Sequence, residues 1–352
     1  MQTDFHHAVT YVTARTAGFE HDQADIIAYS AQYVDDAVSE GVVHFDNDAF
    51  YARIHSSHKS TDVGNLNNDY NHLIWLPFHF LPGNGGKGPG EDPDGTFIQK
   101  IVCLPDSPPA KEMVQAAVND KGKPYSLHRL GIALHVYADT WSHQGFAGVI
   151  HEINEVEHAR EIKSSGMYAK QLQHMLEDWL DDFIPPLGHG RAKMFPDLPF
   201  LHWQYKNGRG VWVDRDNPTD FCKAADAMCK AMQQYLNKPP SGLPAADKAL
   251  LNKIFLELKI KEDKARHDRW LDIVKSGFNG ERFSFGGAEI SYVAEGVGSW
   301  KEKALGSSWD LRVHPYKPGF LSSDWKLFHD ALQLHRLTVL HDILPKYGIC
   351  AG

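Results

Sequence analysis

Cysteine is scarce in this chain. The four residues, Cys103, Cys222, Cys229 and Cys350, form no CxxC pair. That pattern argues against a cysteine zinc site or a disulfide framework and fits free thiols in a reducing compartment. Long hydrophobic runs are missing too. No stretch approaches the roughly 20 apolar residues of a membrane-spanning helix, and "MQTDFHHAVTYVTARTAGF" at the start lacks the basic-then-apolar pattern of a secretory signal. A soluble, cytoplasmic protein without a transmembrane segment is expected. Positive charge is in short supply as well, with 36 Lys and Arg against 45 Asp and Glu and a formal net charge of -9. This balance argues against broad capture of long duplex nucleic acid. Neither an internal repeat nor a low-complexity linker divides the 352 residues, which are enough to bury a core without staples.

Histidine is what the chain holds in quantity. Its 21 residues are spread along the sequence, and imidazole is the commonest metal-ligating side chain. Helical periodicity predicts two helices joined by a short turn over 5–18 and 22–41. Further helices are predicted at about 109–119, 125–146, 166–183, 218–236, 245–276 with a break, and 323–344. Residues 42–81 are irregular and polar, carry His44, His55, His58, His72 and His79, and run into the breaker-rich loop "LPGNGGKGPGEDPDG". "RFSFGGAEISYVAEG" is the best strand candidate. The expected fold class is therefore all-α: a multi-helix bundle with a buried metal site and a small β element in the C-terminal third. Residues 1–237 would form a helical metal-binding domain and 238–352 a helical extension packed on it, unless the two make a single domain.

The stretch "LHVYADTWSHQG" carries the chemistry. It spaces His135, Asp139 and His143 four apart, on one face of a helix, and His128 extends that face. Eight residues rise roughly 12 Å, too far for both terminal imidazoles to grip one ion while the helix stays straight. Two or more ions bridged by the central carboxylate solve that geometry. The alternative is a solvated polar face, but Leu130, Ile132, Ala133, Leu134, Val136, Ala138 and Trp141 are apolar nearly all round, as in a buried helix. Buried imidazoles and carboxylates need partners, and a metal supplies them.

Other donors stand at element ends. "DFHHAV" offers His6 and His7, "QYVDDAV" offers Asp35 and Asp36, and "WLPFHFLPG" encloses His79 among large apolar residues. "FIPPLGHGRAKMFPDLPF" sets His189 between glycines, with Asp197 eight residues on.

In this order, from N-terminal histidine to the later His189, the donors resemble those of the zinc-dependent phospholipase C and single-strand nuclease superfamily. The three-residue gap between Asp139 and His143 is closer to bacterial helical domains of unknown activity with HxxxDxxxH. The likeness covers roughly residues 1–205. It implies a mostly helical fold holding two or three zinc ions, with His7 or His6, Asp36 or Asp35, His79, His135, Asp139, His143 and His189 as ligands and Asp139 bridging. It also implies hydrolysis of a small phosphodiester or a phospholipid headgroup ester by a metal-activated water, with Asp139 and Asp36 as the catalytic carboxylates.

Two further readings compete. A histidine-aspartate phosphohydrolase needs an adjacent His-Asp pair, and four occur: His21-Asp22, His267-Asp268, His329-Asp330 and His341-Asp342, all in polar or exposed-looking settings. In a non-catalytic protein, the ions would be structural and four-coordinate, with no open position for water. "HEINEVEH" is not a metalloprotease HExxH, because Glu155 stands four after His151.

Overall fold

The structure, a computed structural model, describes residues 1–57, 68–162 and 187–351. The helix expected over 166–183 lies outside the described residues, as does His58. A π-helical turn, Asp4–Val9, leads into α1 (Thr10–Ala17), and α2 (His21–Asp36) follows after a short turn. Next come β1 (Gly41–His44), β2 (Phe50–Arg53), α3 (Asn68–Phe78), the short α4 (Ile98–Ile101), α5 (Pro108–Asn119) and α6 (Ser126–Ser142). Then follow β3 (Val156–Glu161), β4 (His202–Asn207), β5 (Trp212–Asp216) and α7 (Asn217–Tyr235). The chain finishes with α8 (Ala245–Glu257), α9 (Asp263–Ser276), α10 (Trp300–Leu305) and α11 (Asp324–Leu337). Prolines start α5 and α7 in their first turns, where a missing N–H costs nothing.

The all-α expectation is corrected. About 52% helix and 11% strand are found, with two small sheets among the described residues. β1 and β2 form a two-stranded antiparallel hairpin, and β3, β4 and β5 form a three-stranded antiparallel sheet with β4 in the middle. Both lie outside the C-terminal third. The predicted strand over 282–296 contains no strand: Phe283 and Phe285 stack, but Ser284 and Phe285 form a turn and Gly286 and Gly287 follow at once in irregular chain. In β4 the period-two alternation is real, since Trp203 and Tyr205 are buried between partly exposed neighbours. Those two rings pack over Phe80, Phe146, Phe195 and Leu201.

The helix α6 runs through the middle of the molecule, buried at every residue except Leu127. Its closest approach is to α2. A Cβ at Gly131 would stand 2.4 Å from the Ile27 carbonyl oxygen and 2.6 Å from Ser30 Cβ, so the absence of a side chain permits the crossing. One turn later, His135 of α6 donates from Nδ1 to the Ala31 carbonyl at 2.7 Å, and the end of α2 brings Asp35 to the same place. The main hydrophobic cluster draws on both ends of the chain, from Phe5 through Phe221, Phe255 and Trp270 to Ile349. All four cysteines are free thiols, and only Cys350 is exposed. Among the described residues no helix is long and apolar enough to cross a membrane.

Candidate metal centre

Donor atoms from six segments of chain converge beside α6 and make three groups with metal-compatible spacing, the first two sharing His135: His6, Asp35 and His135; His79, His135 and Asp139; His143, His189 and Asp197. Asp139 stands between them. Its Oδ1 lies 3.2 Å from His6 Nε2 and 2.7 Å from the Met1 amino nitrogen, and its Oδ2 lies 3.3 Å from His135 Nε2 and 3.5 Å from His79 Nδ1. The Met1 amino nitrogen is also 3.2 Å from Asp197 Oδ1, and His189 Nε2 is 3.6 Å from Asp197 Oδ2. Ser142 donates to Asp197 Oδ1 at 2.8 Å and holds it in place.

The tautomers are set by backbone carbonyls, which only accept hydrogen bonds. His135 Nδ1 meets Ala31 O at 2.7 Å, His79 Nε2 meets Ser56 O at 2.9 Å, His143 Nδ1 meets His79 O at 2.8 Å and His189 Nδ1 meets Lys193 O at 3.0 Å. Each of those nitrogens therefore carries the proton, and in a neutral ring the other nitrogen presents a lone pair. Histidines that ligate metals are held in the same way, with the other ring nitrogen donating to a carbonyl or carboxylate. His6 stacks on His135 with ring centroids 3.8 Å apart, and although the ring is fully buried neither nitrogen makes a well-aligned hydrogen bond, Nε2 lying 3.2 Å from Asp139 Oδ1. A buried imidazole so poorly satisfied is suited to a ligand's role.

Electrostatics point the same way. Burial pushes the His6 and His135 imidazoles below their ordinary value and His143 down to about 3, so the rings are neutral and able to donate lone pairs. Burial works against the Asp139 carboxylate, but His143, the Met1 ammonium, His135 and His6 outweigh it and hold Asp139 well below the usual carboxylate range. Burial likewise works against the Met1 ammonium, yet the Asp139 and Asp197 charges raise it to about 11. The two carboxylates thus stabilise positive charge at the amino group. Asp35 is pushed well above its ordinary value by burial and then by the like charge of Asp139, a penalty that a cation between them would relieve. One side of the centre opens into a cavity of about 300 Å³ whose lining includes Trp75, Phe80 and Leu187 beside Asp35, His79, His143 and His189.

Of the residues nominated from sequence, the structure brings together His6, Asp35, His79, His135, Asp139, His143 and His189. It places His7 and Asp36 elsewhere. Neighbours on a helix point about 100° apart, so only one of each pair reaches the centre. His7 Nδ1 meets His267 Nε2 at 3.0 Å, and the Asp36 carboxylate accepts from Tyr292 at 2.5 Å and Gln32 at 3.0 Å. His128 pairs with Asp324 at 3.1 Å, and α6 ends at Ser142, with His143 just past it. The four His-Asp dipeptides contribute to none of the three groups found among the described residues. Sequence reasoning missed the Met1 amino group and gave Asp197 no role. The Ser142 bond that orients Asp197 joins residues 55 apart and leaves no local signal.

The sequence pattern that defines DUF6765, a family of unknown function, matches residues 1–343. The chain belongs to DUF6765. No curated protein and no solved structure matches it. In this DUF6765 protein the matched stretch takes in every donor of the centre and the helices α7 to α11.

Proposed function

We propose that this DUF6765 protein is a metal-dependent phosphoesterase that holds two or three zinc ions and hydrolyses small phosphodiesters or phospholipid headgroup esters. The observation that carries the reading is Asp139, a buried carboxylate whose two oxygens face different donors, with four nearby imidazoles turned inward by backbone carbonyls. His79 and His135, with Asp35 and His6, would hold one side, and His143, His189 and Asp197 the other, with Asp139 shared. Nitrogen and carboxylate donors suit zinc. If zinc were bound by these donors, it would supply Lewis-acid stabilisation of phosphoryl oxygens and a more acidic water at neutral pH. The chain itself fixes the donors and walls the cavity. Phe80 stacks on His143 with centroids 4.4 Å apart, and Trp75 stands 5.3 Å from His79, so the substrate's organic group would lie against an apolar surface while its phosphate faces the donors.

The test is elemental analysis followed by assay with a chromogenic aryl phosphodiester. Two or three equivalents of zinc and metal-dependent turnover are expected, and Asp139→Asn should lower both, with turnover falling at least about a hundredfold. Tight zinc with no turnover on aryl phosphodiesters or phospholipid vesicles would instead assign the ions a structural role. Absence of zinc and turnover together would end the proposal.

A further inference from the structure

The first stretch of chain is braced by the last third. Residues 2–7 include the donor His6, yet their polar side chains turn away from the centre to α9, some 260 residues later in sequence. Arg266 of α9 is fully buried and spends all its donors. Nε and Nη2 form a two-pronged bond to the Asp4 carboxylate at 2.7 and 2.9 Å, Nη2 also reaches Gln2 Oε1 at 2.5 Å, and Nη1 donates to the Ile260 and Lys261 carbonyls at 2.9 and 3.1 Å. One turn earlier, Asp263 accepts from Thr3 N at 3.1 Å and from Thr3 Oγ1 at 2.8 Å. His267 meets His7.

We propose that α9 is a clamp that sets the position of the ligand-bearing N-terminal segment, with Arg266 as its central positioning residue. The planar guanidinium fixes Asp4 in both distance and orientation, which a point charge on a lysine would not. The segment it fixes is the π-helical turn Asp4–Val9, a widened turn of a kind found mostly as short pieces at functional sites. Two residues past Asp4, His6 meets Asp139 at 3.2 Å without a well-aligned hydrogen bond, so the backbone that Arg266 and Asp263 anchor has a large part in setting its place. Among the described residues, no α9 side chain makes a hydrogen bond or ion pair to the metal donors themselves. The C-terminal third therefore contributes to the centre mechanically, without supplying a ligand.

This inference rests on the proposed metal reading only in its second readout. Hydrogen exchange of the amides of residues 4–9 is measured first, in the full-length wild type and in Arg266→Lys. Exchange there should rise at least about tenfold while that of α6 stays as in the wild type. Zinc is then titrated into chelator-treated protein. The variant should lose one equivalent, or bind it at least about tenfold more weakly, and should retain the zinc held by His143, His189 and Asp197. Uniform weakening of all equivalents together with faster exchange throughout the molecule would mean general destabilisation and overturn the clamp. Should Arg266→Lys not fold, Asp263→Ala removes the more exposed pair of Thr3 bonds and should move both readouts in the same direction by a smaller amount. Unchanged exchange at residues 4–9 in a folded variant also overturns the proposal. Faster exchange confined to that segment, in a protein that binds no zinc, would support the clamp and remove the metal reading alone.

Discussion

Asp139 brings together groups that would otherwise be costly to bury, and the residues around it divide into those that face it and those that hold them still. Ser142 belongs to the second kind, since its hydroxyl donates to Asp197 at 2.8 Å and lies 3.1 Å from the Pro196 carbonyl, a weaker alternative acceptor for the same hydrogen. Ser142→Ala should weaken zinc binding by about tenfold to a hundredfold and leave secondary structure intact, as read by competition with a chromogenic chelator and by circular dichroism. The same paired logic explains which donors could be read from sequence. His135, Asp139 and His143 were legible because their spacing places them on one face among apolar residues, and His79 and His189 because their settings were unusual for an imidazole. His6 and His7, like Asp35 and Asp36, were not separable. Both members of each pair have the same chemistry, and only the packing of His7 on His267 and of Asp36 on Tyr292 decides between them.

At the level of elements, the crossing of α2 and α6 sets the distance between Asp35 and His135, 3.7 Å between Oδ1 and Nε2. Gly131→Ala would push a Cβ against backbone, which cannot move as a side-chain tip can, and should cost about 1–3 kcal/mol in urea unfolding. It should also reduce zinc retention by spreading the two helices. The far end of α6 is held by Arg215 of β5, which donates to the Trp141 and Ser142 carbonyls at 2.8 and 3.0 Å, so the three-stranded sheet caps the helix that carries the donors. The longer helices, α2, α5 to α9 and α11, were readable because their periodicity persists over three or more turns, whereas α3 (Asn68–Phe78) fell in the stretch read as irregular and the short α4 and α10 gave no signal. The strands were not, because four to six residues of alternation between turns and helices carry little signal, and "RFSFGG" alternates with no neighbouring strand to pair with.

Over the whole molecule, the abundance of histidine has a consequence for acid stability. Burial pushes His329 down to about 3 and holds His335, His7 and His267 below their ordinary value, so these rings are neutral in the folded protein at neutral pH. Once unfolded, each takes up a proton near pH 6.5. A lowered imidazole pKa therefore contributes stability that is fully present above about pH 6.5 and lost as the pH falls toward 3. For His329 that slope is roughly 1.4 kcal/mol per pH unit. Urea midpoints of chelator-treated protein should drop between pH 7.5 and pH 5, and the drop should be smaller in His329→Gln. A midpoint unchanged across that range would show that these rings are protonated in the folded state. Chelation removes the parallel loss of metal on acidification, which has the same sign.

Arg266 and Asp4 are joined across 262 positions of sequence. During synthesis the opening residues emerge long before Arg266 does, so the bonds that brace the His6 segment form only after α9 has left the ribosome. Metal uptake at the proposed centre is therefore expected to follow the closure of these distant contacts.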